Sequence, residues 1–165
     1  MKQLIRSILI IFAAFAAMLA APAMAKNVTA DLDQINEVMK GAGYKSEVKE
    51  KDGERYITVE ASGYRFLLFA FGCDDAKKKC KSVQFFAVFN PSTKPTLEAM
   101  NTYARQNRWG RVYLDKDGDP AIEFDLDLEQ GGMSGELFLD NVAYWEAIMV
   151  AFADFAFGKG DAAKK

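Results

Sequence analysis

Residues 64–89 read YRFLLFAFGCDDAKKKCKSVQFFAVF, two apolar runs separated by a charged segment with a cysteine at each of its ends. Tyr64 to Phe71 and Ser82 to Phe89 have the length and the aromatic content of strands, and Asp74 to Lys79 supplies the turn. If Cys73 and Cys80 face each other across that hairpin, Phe71 opposes Ser82, Phe69 opposes Gln84 and Leu67 opposes Phe86. Side chains alternate between the two faces of a strand. One face then collects Tyr64, Phe66, Leu68, Ala70, Val83, Phe85, Ala87 and Phe89, with no charge among them, which is what a core face requires. The cysteine register and the apolar pattern thus agree, and a structural disulfide follows. Closing so short a loop contributes about 2.5 kcal/mol in the chain-entropy model. A redox dithiol is the rival reading, but the spacing is not C-x-x-C and the chain has no histidine to depress a thiol pKa.

The opposite face of the same hairpin is also apolar, with Leu67, Phe69, Phe71, Phe86 and Val88. A strand pair apolar on both sides is expected to be covered on both sides. Helices of the chain can supply both covers, or a dimer or partner groove can supply one of them.

Working outward, Asp31 to Ala42 places Leu32, Ile35, Val38, Met39 and Ala42 at helical spacing, with Asp31 and Gln34 as a capping-box-like start and Gly41 and Gly43 as the stop. Tyr44 to Glu50 and Arg55 to Ser62 form a hairpin around the type I′ signal Asp52-Gly53. Ser62-Gly63 then turns the chain into the cysteine hairpin. Pro91 and Pro95 break the chain ahead of a second helix, Thr96 to Asn107. Arg111 to Leu114 and Ala121 to Glu129 flank a loop, and Ser134 caps a last helix running to about Phe157. That helix is apolar over more than one stripe, which implies burial on more than one side. The order α-β-β-β-β-α-β-β-α, built on consecutive hairpins, predicts an α+β fold with an antiparallel sheet and three helices.

The whole chain has 165 residues, half of them hydrophobic, and a formal net charge of −2. One domain of this size can bury a self-sufficient core. With no basic excess, a nucleic-acid role has little electrostatic support. The absence of histidine removes Ser-His-Asp and Cys-His machinery, His-ligated zinc and a neutral-pH imidazole shuttle together. Lys2 and Arg6, an uncharged apolar run from Ile8 to Ala21, and Ala23-Met24-Ala25 are the parts of a secretory signal peptide cleaved after Ala25. The apolar run is short for a bilayer-spanning helix of about 20 residues. Cleavage would leave 19 basic against 23 acidic side chains, a domain over residues 26–158, a polar tail over 159–165, and an exported, periplasmic protein in a compartment that permits disulfides.

The loop Asp115-Lys116-Asp117-Gly118-Asp119 is the best place for ion chemistry, since carboxylates at alternate positions can converge on a hard cation. An EF-hand-type loop wants glycine sixth and glutamate twelfth, where this chain has Pro120 and Leu126. The turn reading centres a five-residue loop on Gly118, keeps Pro120 outside the ladder, and sets Arg111 opposite Asp125 and Tyr113 opposite Glu123. A divalent-cation or small-ligand sensor built on Asp115, Asp117 and Asp119 is the alternative function. Glu123, Asp125, Asp127 and Glu129 alternate with apolar residues and read as a solvated outer face. A glycosidase-like carboxylate pair would need an environment that splits their pKa values. Trp109, Arg111 and Tyr113 can offer polar and aromatic contacts at one rim, or simply pack a capped helix end onto the hairpin.

The run NRWGRVYLDKDGDP, Asn107 to Pro120, with the acidic-alternating strand AIEFDLDL after it, resembles the YbjN family of putative bacterial sensory-transduction regulators. The segment from Gly72 to Phe85, the GYKSEV after the first helix and the WEA of the last helix are similar to it too. The likeness covers nearly all of the chain after the N-terminal segment. It implies a fold like that of type III secretion chaperones, small α+β proteins that often dimerise and bind partner polypeptide, and it brings no catalytic or cofactor residues. The expectation is a periplasmic, non-enzymatic binding module without a cofactor. It should be homodimeric and hold a protein or peptide partner on Leu67, Phe69, Phe71, Phe86 and Val88, with Trp109, Arg111 and Tyr113 at the rim.

Overall fold

A computed structural model of the chain describes residues 27–76 and 79–158; the expected signal segment, residues 1–25, and the expected tail, 159–165, lie outside the described residues. The elements run α1 (Leu32–Gly41), β1 (Lys45–Lys51), β2 (Glu54–Ala61), β3 (Tyr64–Phe71), β4 (Ser82–Val88), α2 (Leu97–Gln106), β5 (Arg111–Leu114), β6 (Pro120–Asp127) and α3 (Gly135–Ala156), the expected order. One antiparallel sheet has the strand order β1-β2-β3-β4-β6-β5. The chain leaves β4, passes through α2 to the far edge, and returns as β6 between β4 and β5.

Local chemistry starts each helix. The Asp31 carboxylate accepts from the backbone N–H groups of Asp33 and Gln34, Thr96 Oγ1 from Ala99 N, and Ser134 Oγ from Leu137 N. Gln34 does not close the expected capping box. Its amide instead reaches back to Thr29 and to the Asn27 carbonyl. Both residues of each of the two tight turns lie at positive φ, Asp52-Gly53 and Ser62-Gly63, the type I′ geometry that matches strand twist.

The central register is the one the cysteines dictate: Phe71 faces Ser82, Phe69 faces Gln84 and Leu67 faces Phe86. Cys73 and Cys80 are disulfide-bonded, with Cα atoms 3.7 Å apart. Phe66, Leu68, Val83, Phe85 and Ala87 are buried together with Ile57, Val59 and Ile122 from the flanking strands. α1 adds Ile35 and Met39 to this core and α3 adds Phe138, Val142, Trp145, Met149 and Phe152. Trp145 packs against Phe66 and Phe85 at ring separations of 5.8 and 5.6 Å. α2 joins through Tyr103, whose ring meets Phe152 and Phe155 of α3. After β6, Gly132 at φ +77° lets the chain run against Val28, with which Met133 exchanges two backbone hydrogen bonds; a Cβ there would lie 2.0 Å from the Val28 carbonyl oxygen.

The last hairpin differs from expectation by two residues. Arg111 pairs with Glu123, Val112 with Ile122, Tyr113 with Ala121 and Leu114 with Pro120, so the loop is 115–119 rather than 116–120 and Pro120 is inside the ladder. Proline is tolerated there because it is the first residue of β6. Phe89 N donates to the Pro120 carbonyl, and the return bond that proline cannot make falls at the end of β4.

Candidate interaction face

The side chains that alternate with the core residues all emerge on the other side of the sheet, and the strand registers arrange them in four rows. From β1 toward β6 these rows run Lys51, Glu54, Phe71, Ser82, Asp127; then Lys49, Tyr56, Phe69, Gln84, Asp125; then Glu47, Thr58, Leu67, Phe86, Glu123; and last Lys45, Glu60, Arg65, Val88, Ala121. The middle of the face is apolar and its two margins are charged. Phe71 is 49% exposed and Val88 43%, while Leu67, Phe69 and Phe86 are half-buried. Phe69 meets only rings of its own face, Tyr56 at 5.8 Å and Phe86 at 6.1 Å. None of these residues joins the core cluster that the three helices build. Among the described residues, therefore, the helices cover one face of the sheet and leave the second uncovered. A half-open sheet normally carries polar side chains outward. This one carries a strip of large apolar groups, the kind of contiguous surface that marks an interaction site.

A polar network borders the strip on the β6 side. Glu123 is only 7% exposed although it points to the open face. Its carboxylate accepts from Arg111 through Nε at 2.8 Å and through Nη2, and from the Tyr113 hydroxyl. Gln84 Nε2 stands 3.5 Å away and also donates to Asp125 at 3.0 Å. Buried charge is tolerated only when paired and hydrogen-bonded in this way. The bond to Glu123 holds the Arg111 guanidinium above its ordinary pKa. Burial, then the bond to Glu123, push Tyr113 up to about 12. The expectation that Glu123, Asp125, Asp127 and Glu129 form one solvated row holds for the last three, which are exposed, and fails for Glu123. The two-residue change of register is the reason. It puts Arg111, rather than Tyr113, across from Glu123, and sets Tyr113 across from the small Ala121, with its hydroxyl on the carboxylate.

Trp109 does not share this rim with Arg111 and Tyr113. It sits at φ +66° and Gly110 at φ +76°, so the extended alternation breaks just ahead of β5. Its ring turns to the helix side, 5.4 Å from Tyr144 of α3 and 6.5 Å from Phe124, with Arg108 stacked 5.4 Å over it.

In the acidic loop, Asp115 spends its carboxylate on the backbone N–H groups of Asp117 and Asp119, at 2.9 and 2.8 Å. Asp119 pairs with Lys94 at 3.0 Å, and Asp117 is exposed. Among the described residues no group of three or more acidic or cysteine side chains is arranged to hold a metal ion. A shallow cleft at the other end of the sheet is lined by Tyr44, Ser62, Tyr64 and Glu146, and there Ser62 Oγ and the Tyr44 hydroxyl both donate to Glu146. Sequence reading missed that contact, which joins residues 84 and 102 positions apart.

Among the described residues no helix is long and apolar enough to cross a membrane. No curated protein matches the chain. The sequence model of one family, described as "Putative bacterial sensory transduction regulator", matches residues 31–157, a span from the cap of α1 to the residue after α3. That match takes in every strand of the open sheet and all three helices, and the chain belongs to the YbjN family.

Proposed function

We propose that the protein is an exported, non-enzymatic contact module that engages a protein or peptide partner through the uncovered face of its sheet. The observation that carries this reading is the apolar strip of Leu67, Phe69, Phe71, Phe86 and Val88, with no helix packed on it. Apolar surface left in water is unfavourable by roughly 25 cal/mol per Å², and burying it against a partner recovers that free energy. Large rigid rings at the centre and charged groups at the margins match the anatomy of interfaces, where aromatic anchors dominate and the rim is polar. The polar groups gathered at the strip are bound to one another: the Glu123 carboxylate is held by Arg111 and Tyr113 and borders Gln84, an arrangement that orients the rim rather than leaving a free acid or base. Export is supported by the basic, apolar, small-residue start of the chain and agrees with the Cys73–Cys80 disulfide.

The test is site-specific photocrosslinking in cells producing the full chain, with a photoreactive amino acid at Phe69 or Phe71 and a control at Leu97, which is exposed on α2. Discrete adducts at the two sheet positions and none at the control are expected. Equal yields at all three positions, or none at any, would remove the basis for the reading.

A further inference from the structure

We infer that the occupant of the open face is a second copy of the same chain, packed sheet on sheet about a two-fold axis that runs along β3. This deepens the contact reading above and rests on it. The rows of the face decide the symmetry. A two-fold axis lying in the interface along β3 keeps each row at its own level and exchanges the two sides of the sheet. It sets β3 on β3, β2 on β4 and β1 on β6. Phe71, Phe69 and Leu67 then meet their own counterparts, and Tyr56 and Thr58 lie over Gln84 and Phe86. Lys51 falls on Asp127, and Lys49 on Asp125. Each of these charged pairs occurs twice, because the interface is isologous. An axis across the strands would instead stack β1 on β1 and β6 on β6, placing lysine against lysine and aspartate against aspartate. Like charges in register oppose association, so the charge pattern selects the first arrangement.

The size is also sufficient. Five overlapping strands at about 4.8 Å and about seven residues at about 3.3 Å give a footprint of about 550 Å² per copy. Two copies together bury about 1,100 Å² even on a flat estimate, which clears the roughly 1,000 Å² that a specific interface needs. Two sheets meeting this way pack about 10 Å apart with strands about 30° from parallel, the ordinary geometry of a β-sandwich.

The experiment is the solution mass of the purified full chain by light scattering and sedimentation, with charge-reversed variants. The parent is expected at twice the mass of one chain. Phe69→Asp should weaken association by about a hundredfold or more, with the melting of the fold left cooperative because Phe69 touches only its own face. Lys49→Glu with Lys51→Glu, and separately Asp125→Lys with Asp127→Lys, should each weaken self-association by about tenfold. Mixed together, these two variants should form a one-to-one heterodimer about as tight as the parent, since both clusters then carry opposite charges. A parent that stays monomeric at about 100 µM, above the micromolar end expected for an interface of this size, would overturn the proposal. So would a dimer indifferent to Phe69→Asp, or variants that do not rescue each other. If the parent is monomeric while Phe69 still crosslinks to another protein in cells, the second copy is refuted and the contact reading survives; if Phe69 also crosslinks to nothing, both fall.

Discussion

Phe85 and Phe69 sit on neighbouring central strands and point to opposite sides of one sheet, so truncating each in turn measures how one-sided the packing is. Phe85 is fully buried, with rings of Phe66, Phe124, Phe138 and Trp145 within 6.5 Å. Phe85→Ala removes those contacts and leaves a cavity between sheet and α3, which costs about 4 kcal/mol. For a domain of this length each kcal/mol lowers Tm by about 3–4 °C, so a fall of about 10–15 °C is expected. Phe69 is half-buried and touches Tyr56 and Phe86. Its loss removes two cross-strand ring contacts, about 1 kcal/mol and about 3–4 °C. Thermal melting by circular dichroism, at a chain concentration low enough to keep any self-association out of the reading, compares the two. If Phe69→Ala proved as costly as Phe85→Ala under those conditions, another part of the same chain would have to cover the open face, and the reasoning would fail.

Three further outcomes follow from the same geometry. Replacing Cys73 and Cys80 by serine should lower stability by about 2.5 kcal/mol in denaturant unfolding, since the bridge closes a loop of about eight residues; unfolding insensitive to the change would contradict it. Gly132→Ala should be among the most destabilising changes outside the core, by about 2 kcal/mol or more, because the position combines φ +77° with a Val28 carbonyl where the methyl would go; a Tm within a degree or two of the parent would disprove the close approach. Burial pushes Tyr103 up to about 12, and Tyr113 is raised to the same region. The folded chain therefore keeps protons that the unfolded chain releases above about pH 10, so stability is full below pH 10 and falls between pH 10 and 12. Tyr103→Phe should flatten that alkaline loss of Tm, and an unchanged slope would refute the assignment.

The core face of the sheet was readable because two independent signals agreed. Cysteine pairing set the register of β3 on β4, and strand parity then sorted Phe66, Leu68, Val83 and Phe85 from Leu67, Phe69, Gln84 and Phe86. The last hairpin was ambiguous for a physical reason. Arg111 can meet either Asp125 or Glu123 without changing which residues face the core, because a slip of two residues preserves parity. Strand alternation alone could not separate buried Glu123 from exposed Asp125, since burial there depends on which neighbours stand across the ladder. Trp109 left its expected rim through two consecutive residues at positive φ, Trp109 and Gly110, and only the glycine signals such a turn in sequence. The openness of the second face was not legible either. Three helices are enough to cover both sides of a sheet, and periodicity reports that a helix has an apolar stripe without saying which side of the sheet receives it.

The most direct measurement of the central claim is oxidative footprinting of Phe69, Phe71 and Phe86, comparing the dilute purified chain with the same chain inside intact cells. The account predicts that these rings react readily in dilute solution and are protected in cells, while exposed Leu97 reacts alike in both. Equal reactivity of the three rings in the two settings would contradict it.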